Sequence, residues 1–237
     1  MLGACSRGSS GDSAATPDTQ SGATSVDRPN IVLVLTAGQR ASDLDVMSEV
    51  TELRERGTTF THAYATSTDR TAATASLLSG QTVHGHAITS TGLADPAVVD
   101  ALFNLDTLGA WATAAGGHSA FVGTLADGAI PEPRNRTGFG WDDWFAFADG
   151  SDGRSFSYTT NGNGQLTTRD DESRVYNADW VTSTAVDIIG FQPDIPGPFL
   201  LVVSYRQPLG PTTAAGATAA PDPAPRHVVS ADAARRI

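Results

Sequence analysis

A few side chains in this sequence have the types and spacing that a chemical site requires. His84 and His86 are close enough to share a metal ion in an extended segment, although histidines without a carboxylate partner more often form hydrogen bonds in loops. Asp142 and Asp143 lie between two tryptophans and could bind a cation or a sugar, although a solvated acidic turn is commoner for such a pair. By themselves these residues define no reaction.

Cys5 is the only cysteine, so the chain can form no internal disulfide and no thiolate zinc site. The segment that ends at Cys5, Leu2-Gly3-Ala4-Cys5, resembles a bacterial lipobox, and the polar stretch 6–28 has the composition of a flexible tether. We therefore expect lipidation at Cys5, a tether over residues 1–27 and one domain over 28–237. Only four residues precede the cysteine, so this hypothesis requires a start upstream of Met1; a chance cysteine in a disordered N-terminus is the alternative.

Composition excludes several classes of partner. The net charge of −11 would repel nucleic acid phosphates. All basic side chains are arginines, so no lysine can bind an anion or form a Schiff base. No segment is apolar enough to span a bilayer, which leaves a lipid on Cys5 as the one predicted membrane contact.

The elements that must position a site follow from the hydrophobic pattern. The continuous apolar run Ile31–Leu35 predicts a strand buried on both faces of a parallel sheet, and similar runs predict strands at 119–122 and 198–203. A short strand is expected over 58–65. Residues 141–144 and the run Asn161-Gly162-Asn163-Gly164 are each expected to form a loop or a hairpin, with strong turn signals in the second. Four helices are predicted, at Val46 to Leu53 with a closing Gly57, at 71–78, at 105–115 and at 176–189.

This alternation predicts an α/β fold, a three-layer sandwich around a mostly parallel sheet. Residues 210–225 are rich in Ala, Pro, Gly and Thr, and the sequence stops at Ile237 inside what looks like a new helix. We therefore expect a C-terminal truncation.

The segment Arg28-Pro29-Asn30 and the strand after it resemble the opening of sulfatases, in the alkaline-phosphatase superfamily. That resemblance implies two aspartates at the end of the strand that coordinate calcium or a similar cation. The matching residues are Ala37 and Gly38, which offer no ligand, so we expect calcium binding to be lost. Asp43 and Asp45 follow closely and could replace a ligand, but they more simply favour the N-terminus of the next helix.

Two further segments, 56–64 and 75–81, resemble the family on either side of its nucleophile, a Cys or Ser oxidised to formylglycine and followed by a proline and an arginine. Counting back from Ala75 places Thr71 at the nucleophile, Ala73 near the proline and Thr74 at the arginine. Threonine cannot become formylglycine, and its single hydroxyl cannot both attack sulfur and expel sulfate. The alternative role for Thr71 is a capping or buried residue at the start of a helix.

The resemblance also covers two later sulfate-binding positions. Thr124 replaces the lysine of a Gly-Lys pair, and Leu209 replaces the histidine of a Pro-His pair, with Arg206 as a displaced cationic compensation. Together the matches extend over residues 28–227.

We therefore expect a sulfatase-family protein, a sulfuric ester hydrolase by resemblance, that is catalytically impaired or inactive. Its expected location is outside the cytoplasm, as an anchored lipoprotein of a bacterial envelope. The expected partner is a sulfated or phosphorylated small molecule or glycan. One alternative is a metal-dependent phosphate ester or diester hydrolase that uses Thr71. Another is a non-enzymatic lipoprotein that binds glycans or proteins.

Overall fold

The apolar runs of the sequence form the centre of one sheet. The computed structural model describes residues 28–89, 95–126, 128, 130, 132–148, 155–170, 175–191 and 194–208. Within them the strands are β1 (Ile31–Ala37), β2 (His118–Gly123), β3 (Asp143–Phe147), β4 (Tyr158–Gly162), β5 (Gln165–Arg169) and β6 (Phe199–Pro208). Their order across the sheet is β1-β6-β2-β3-β4-β5. β1, β6, β2 and β3 run parallel, and β4 and β5 are antiparallel to their neighbours.

Helices cover both faces of the sheet. They are a 3-10 helix (Ala41–Val46), α1 (Ser48–Arg56), α2 (Arg70–Ser79), α3 (Val83–His86), α4 (Pro96–Asn104), α5 (Leu108–Ala114) and α6 (Asn177–Phe191). α6 packs on one face through Trp180, Val181 and Ile188. On the other face α2 and α4 enclose Phe121 and Trp144, whose rings stack at 4.7 Å. The predicted three-layer α/β architecture is confirmed.

The Asn-Gly pattern forms the hairpin that it predicts. Asn163 and Gly164 have φ values of 47° and 88° between β4 and β5. A two-residue turn with positive φ at both positions matches the right-handed twist of the flanking strands, and Asn and Gly tolerate that backbone best. This hairpin extends the parallel sheet by two antiparallel strands.

The prediction that β1 is buried on both faces is wrong. β1 is an edge strand that pairs only with β6 among the described residues. Leu33 and Leu35 pack against the core, but Val32 and Val34 on the other face are 46% and 57% exposed. A run of β-branched residues sets the strand but not its position in the sheet, which depends on what packs beside it.

Three other sequence predictions need correction. No strand forms over 58–65, where Phe60 is 80% exposed. The helix expected at 105–115 begins at Leu108, and a separate helix, α4, precedes it where Asp95 accepts a hydrogen bond from the Ala97 N–H and Pro96 is the first helical residue. α1 forms, but it buries no residue, and Gly57 ends it in an extended conformation instead of a left-handed one.

Candidate functional site

The main candidate site lies at the C-terminal end of β1, beside the middle of β6. Open parallel sheets bind ligands at this edge because the loops that leave neighbouring strands diverge there. A cavity of about 420 Å³ occupies the position. Its walls come from the end of β1, the first turns of α2 and the middle of β6, and include Ala37, Gly38, Asp69, Arg70, Thr74 and Tyr205.

Local sequence fixes where α2 begins and ends. Asp69 is the N-cap, and its carboxylate accepts a hydrogen bond of 3.0 Å from the Ala72 N–H. Gly80 ends the helix in the left-handed conformation with φ 65°, as its position in the sequence predicts. The N-terminus of α2 therefore faces the cavity with its partial positive charge.

Only one face of α2 lines the cavity. Arg70, Ala73, Thr74 and Leu77 follow at the i, i+3, i+4 and i+7 spacing of a single helical face. Thr71 is one residue further round the helix, is completely buried and does not line the cavity. Arg70, the residue before Thr71, lines the cavity instead.

Arg70 is the cation of this cavity. Its guanidinium donates a hydrogen bond of 3.2 Å to the carbonyl oxygen of Tyr205, which also lines the cavity. Asp69 lies beside it, but its carboxylate caps α2. Sequence analysis missed Arg70; its helical spacing from Ala73 and Thr74 was the signal that could have identified it.

With this geometry in view, comparison with known proteins identifies the family. Residues 29–224 match the Sulfatase family. The chain belongs to the sulfatase family. Over 207 residues it is 28% identical to the "Putative extracellular sulfatase Sulf-1 homolog" of Caenorhabditis elegans, a match that covers 83% of this chain and 27% of the relative.

Solved structures show that the fold is that of sulfatases. The structure of BT4656 with its substrate D-glucosamine-2-N,6-O-disulfate has a TM-score of 0.54 and 20% identity, and the match covers 77% of this chain and 35% of that one. The structure of Ps i-CgsB with k-i-k-neocarrahexaose has a TM-score of 0.58 and 19% identity, with coverages of 79% and 47%. This sulfatase-family chain therefore spans less than half the length of these relatives.

Sulfatases bind a metal ion, but the residues around this cavity do not fit one. Ala37 and Gly38 line the cavity at the end of β1 without any ligand atom on their side chains. Asp43 accepts a hydrogen bond from the Arg40 N–H, and Asp45 pairs with Arg54 at 2.9 Å, so both serve local structure. Across the described ranges no three His, Cys, Asp or Glu side chains cluster closely enough to hold a metal.

The remaining substituted positions do not share one location. Thr124 is buried at the end of β2, where its N–H donates to the Ser204 carbonyl oxygen and its own carbonyl accepts from the Ser204 hydroxyl. Arg206 on β6 is buried too and does not line the cavity. Leu209 and Cys5 lie outside the described residues. Of the predicted site residues in the described part, the cavity thus brings together Ala37, Gly38 and Thr74.

Of the two interpretations of His84 and His86, the contacts of His86 agree with hydrogen bonding. Both residues lie in α3, where His84 is exposed and His86 is buried. His86 Nε2 is 2.8 Å from the Ser76 hydroxyl, and its Nδ1 accepts a hydrogen bond from the Ile88 N–H. Because Nδ1 is the acceptor, the neutral ring carries its proton on Nε2, which donates the hydrogen bond to the Ser76 hydroxyl. In this tautomer His86 cannot act as a base that activates Ser76 as a nucleophile. Burial lowers the pKa of His86, which favours the neutral ring.

Asp142 and Asp143 form a hydrogen-bonded cluster at the N-terminal ends of β2 and β3. Burial raises the pKa of Asp142, but hydrogen bonds from the Ser119 N–H and from the Thr113 and Ser119 hydroxyls, together with the nearby His118, outweigh it, and the net pKa is lowered. Asp143 accepts from His118 Nε2 at 2.7 Å. Trp144 is buried, as the hypothesis of an acidic turn with inward tryptophans requires.

Proposed function

We propose that this sulfatase-family chain binds a sulfate ester, on a sulfated glycan, and does not hydrolyse it. The observation that carries the proposal is the exchange of roles on α2. An arginine lines the cavity at the strand ends, while Thr71, the residue assigned to the nucleophile position, is completely buried on another face of the helix. A nucleophile must reach the sulfur atom, whereas an arginine can bind sulfate but cannot attack it.

The cavity is suited to an anion. The Arg70 guanidinium favours negative charge, and the Asp69 carboxylate beside it is engaged in capping the N-terminus of α2. Hydroxyl groups of Thr36, Thr68 and Thr74 add neutral donors around the cavity. The net charge of −11 repels anions from most of the protein, so recognition depends on this local cation.

A second, shallower cavity of about 330 Å³ extends the first along α2. The two share Ala65, Ala73 and Leu77, and the extension reaches Gln81 and Tyr64, whose ring is 87% exposed. An exposed aromatic ring next to an amide offers a surface for the uncharged part of a ligand. The shape therefore supports a sulfated sugar better than inorganic sulfate alone. The substrates and ligands named for BT4656 and Ps i-CgsB are sulfated glucosamine and neocarrahexaose, which agrees with this class.

Loss of calcium-dependent chemistry is part of the proposal. Ala37 and Gly38 leave the end of β1 without carboxylates, and threonine at position 71 cannot become formylglycine. The alternative of a phosphate ester hydrolase through Thr71 is not favoured, because that reaction also needs an accessible hydroxyl and metal ligands beside it. A binding function that involves no catalysis is the interpretation to which these residues lead.

The proposed location is outside the cytoplasm. It is supported by the extracellular description of the Caenorhabditis elegans relative. Lipidation at Cys5 remains a prediction. Mass spectrometry of the natural protein from membranes tests it: a diacylated N-terminal Cys5 supports the anchor, and an unmodified Cys5 in the same preparation refutes it.

The central test separates binding from turnover. The full chain is titrated calorimetrically with D-glucosamine-2-N,6-O-disulfate and with unsulfated glucosamine, and released sulfate is measured by ion chromatography with and without added calcium. Binding of the disulfate alone, without release of sulfate, supports the proposal. Release that requires calcium and disappears in Thr71→Val refutes it, and equal affinity for the two sugars refutes sulfate recognition.

A further inference from the structure

A separate cavity lies on the α6 face of the sheet, toward the edge opposite the proposed sulfate-binding cavity beside β1. Its volume is about 460 Å³, within the range of about 300–1,000 Å³ typical of small-molecule sites. One wall is formed by the start of β3, the end of β4 and the whole length of β5, and the other by one face of α6 from Trp180 to Phe191. It shares no lining residue with the first cavity.

The base of this cavity is apolar and aromatic. Trp180 and Ile188 are each 7% exposed and form its floor with the half-buried Phe145. At the rim, Phe191 is 67% exposed, so its ring is accessible to a ligand. A half-buried apolar floor with an accessible ring suits a ligand that has an apolar face of its own.

Polar side chains surround that floor. Arg169 is held in place, because its guanidinium lies 5.7 Å from the centres of the Trp180 and Tyr158 rings and donates a 3.1 Å hydrogen bond to the Thr160 hydroxyl. Gln165, Thr184 and Asp187 also line the cavity. Within the described part of the chain these three side chains make no hydrogen bond or ion pair. They therefore offer an amide, a hydroxyl and a carboxylate to a ligand.

Charge excludes a sulfated ligand here. Asp143 and Asp187 give the cavity two carboxylates against the single guanidinium of Arg169. The charge of −11 on the whole protein adds to the repulsion of an anion. Asp143 is already bonded to His118 and to the Asn163 amide, which leaves Asp187 as the carboxylate of the site that makes no hydrogen bond among the described residues. Hydroxyl groups are the donors that such an acceptor can bind without introducing a charge.

We propose that this cavity is a binding site for an uncharged saccharide, independent of the sulfate-binding cavity. A sugar ring has a C–H face that packs on Phe191 and Phe145, and hydroxyl groups around its rim that reach Gln165, Thr184 and Asp187. The same ligand contacts both the apolar and the polar parts of the wall. A bound glycan could thus be held through an unsulfated unit at one end of the sheet.

The test is a binding titration of the full chain with four neutral trisaccharides: cellotriose, maltotriose, xylotriose and chitotriose. Saturation-transfer NMR detects the contact and calorimetry gives the affinity. At least one trisaccharide is expected to bind with Kd of about 1 mM or tighter. Phe191→Ala and Asp187→Asn should each weaken that binding about tenfold, because each removes a proposed contact with the sugar. Both side chains are exposed and neither supports the core, so both variants should fold.

The matched control is Phe139→Ala, which removes another exposed phenylalanine, 57% accessible and outside the cavity, and should change Kd less than about twofold. Binding of D-glucosamine-2-N,6-O-disulfate should be unchanged in Phe191→Ala, which separates the two cavities. No binding by any of the four trisaccharides overturns the proposal. So does binding that survives both rim variants, or binding of tetramethylammonium where the sugars fail, since the latter indicates a site for cations.

Discussion

The role of Arg70 gives the sharpest prediction for the sulfate-binding cavity. Arg70→Gln keeps a polar side chain of similar reach and removes the positive charge. Arg70 is half-buried and bonded to the Tyr205 carbonyl oxygen, so a bound sulfate would be partly shielded from solvent beside it. In water two unit charges at about 4 Å interact by about 1 kcal/mol, and at a protein surface by up to about 4 kcal/mol.

Because the site is open to solvent on one side, the lower half of that range applies. Hydrogen bonds to charged groups contribute about 1.5–3 kcal/mol, and the two ranges overlap at about 1.5–2.5 kcal/mol, so we expect Arg70→Gln to weaken binding of D-glucosamine-2-N,6-O-disulfate about 10- to 70-fold. Arg70→Lys keeps the charge but loses the paired donors, and should give an intermediate affinity. Raising the NaCl concentration should weaken sulfate binding by the wild type more than by Arg70→Gln, since salt screens the guanidinium charge that only the wild type has at this position.

Calorimetry at two salt concentrations measures these differences, and urea unfolding checks that each variant is folded. The matched control is Arg54→Gln, since Arg54 pairs with Asp45 and does not line the cavity. That variant should bind within about twofold of the wild type. If Arg70→Gln binds the disulfate as tightly as Arg54→Gln does, or with the same salt dependence as the wild type, Arg70 does not contact the sulfate and the reasoning fails.

Three further predictions concern stability. Burial lowers the pKa of His86 from 6.5, so just below that pH the unfolded chain binds more protons than the folded one. The free energy of unfolding should therefore fall as the pH drops through about 6.5. Urea midpoints at pH 5.5 and 7.5 should differ less in His86→Gln than in the wild type. Equal differences in the two proteins would contradict this. Gly123 has φ 115°, and an added Cβ would collide with the Ser204 carbonyl oxygen. Gly123→Ala should therefore lower the free energy of unfolding, measured with urea, by at least about 3 kcal/mol. A loss below about 1 kcal/mol would show that the strands move apart to accommodate the methyl group. Leu201 is completely buried on β6, whereas Val34 on the adjoining β1 is 57% exposed. In urea unfolding, Leu201→Ala should therefore lower the free energy of unfolding by about 2–5 kcal/mol, and Val34→Ala by less than about 1 kcal/mol. Similar losses in the two variants would mean that the outer face of β1 is covered in solution.

Local patterns predicted the elements of the fold more accurately than their environment. The hairpin at Asn163-Gly164 and the C-terminal end of α2 at Gly80 depend on residues with positive φ, which few other residue types adopt, so the sequence identifies them directly. The sequence prediction did not include α4, although Asp95 and Pro96 mark its start, because the apolar periodicity was followed only over residues 105–115. β3 was missed because only part of it alternates and its neighbouring residues are polar.

The candidate site shows the difference between counting and geometry. Ala37, Gly38 and Thr74 were found by counting along the sequence, and the structure places all three on one cavity. Thr71 lies only one residue from Arg70, yet a single helical step of about 100° separates an accessible side chain from a buried one. Which of two neighbours faces the cavity depends on how α2 packs on the sheet.

The sequence by itself determined the α/β alternation, the strand that opens the fold, the turn chemistry and the absence of carboxylates at positions 37 and 38, because each of these depends on residue type and local spacing. The tertiary structure decided that β1 lies at an edge, that Arg70 and not Thr71 lines the cavity beside β1, and that Phe191, Gln165 and Asp187 meet around a separate cavity on the α6 face. These three facts depend on contacts between residues far apart in the chain, and a local pattern of side chains carries no information about which distant surface will cover it.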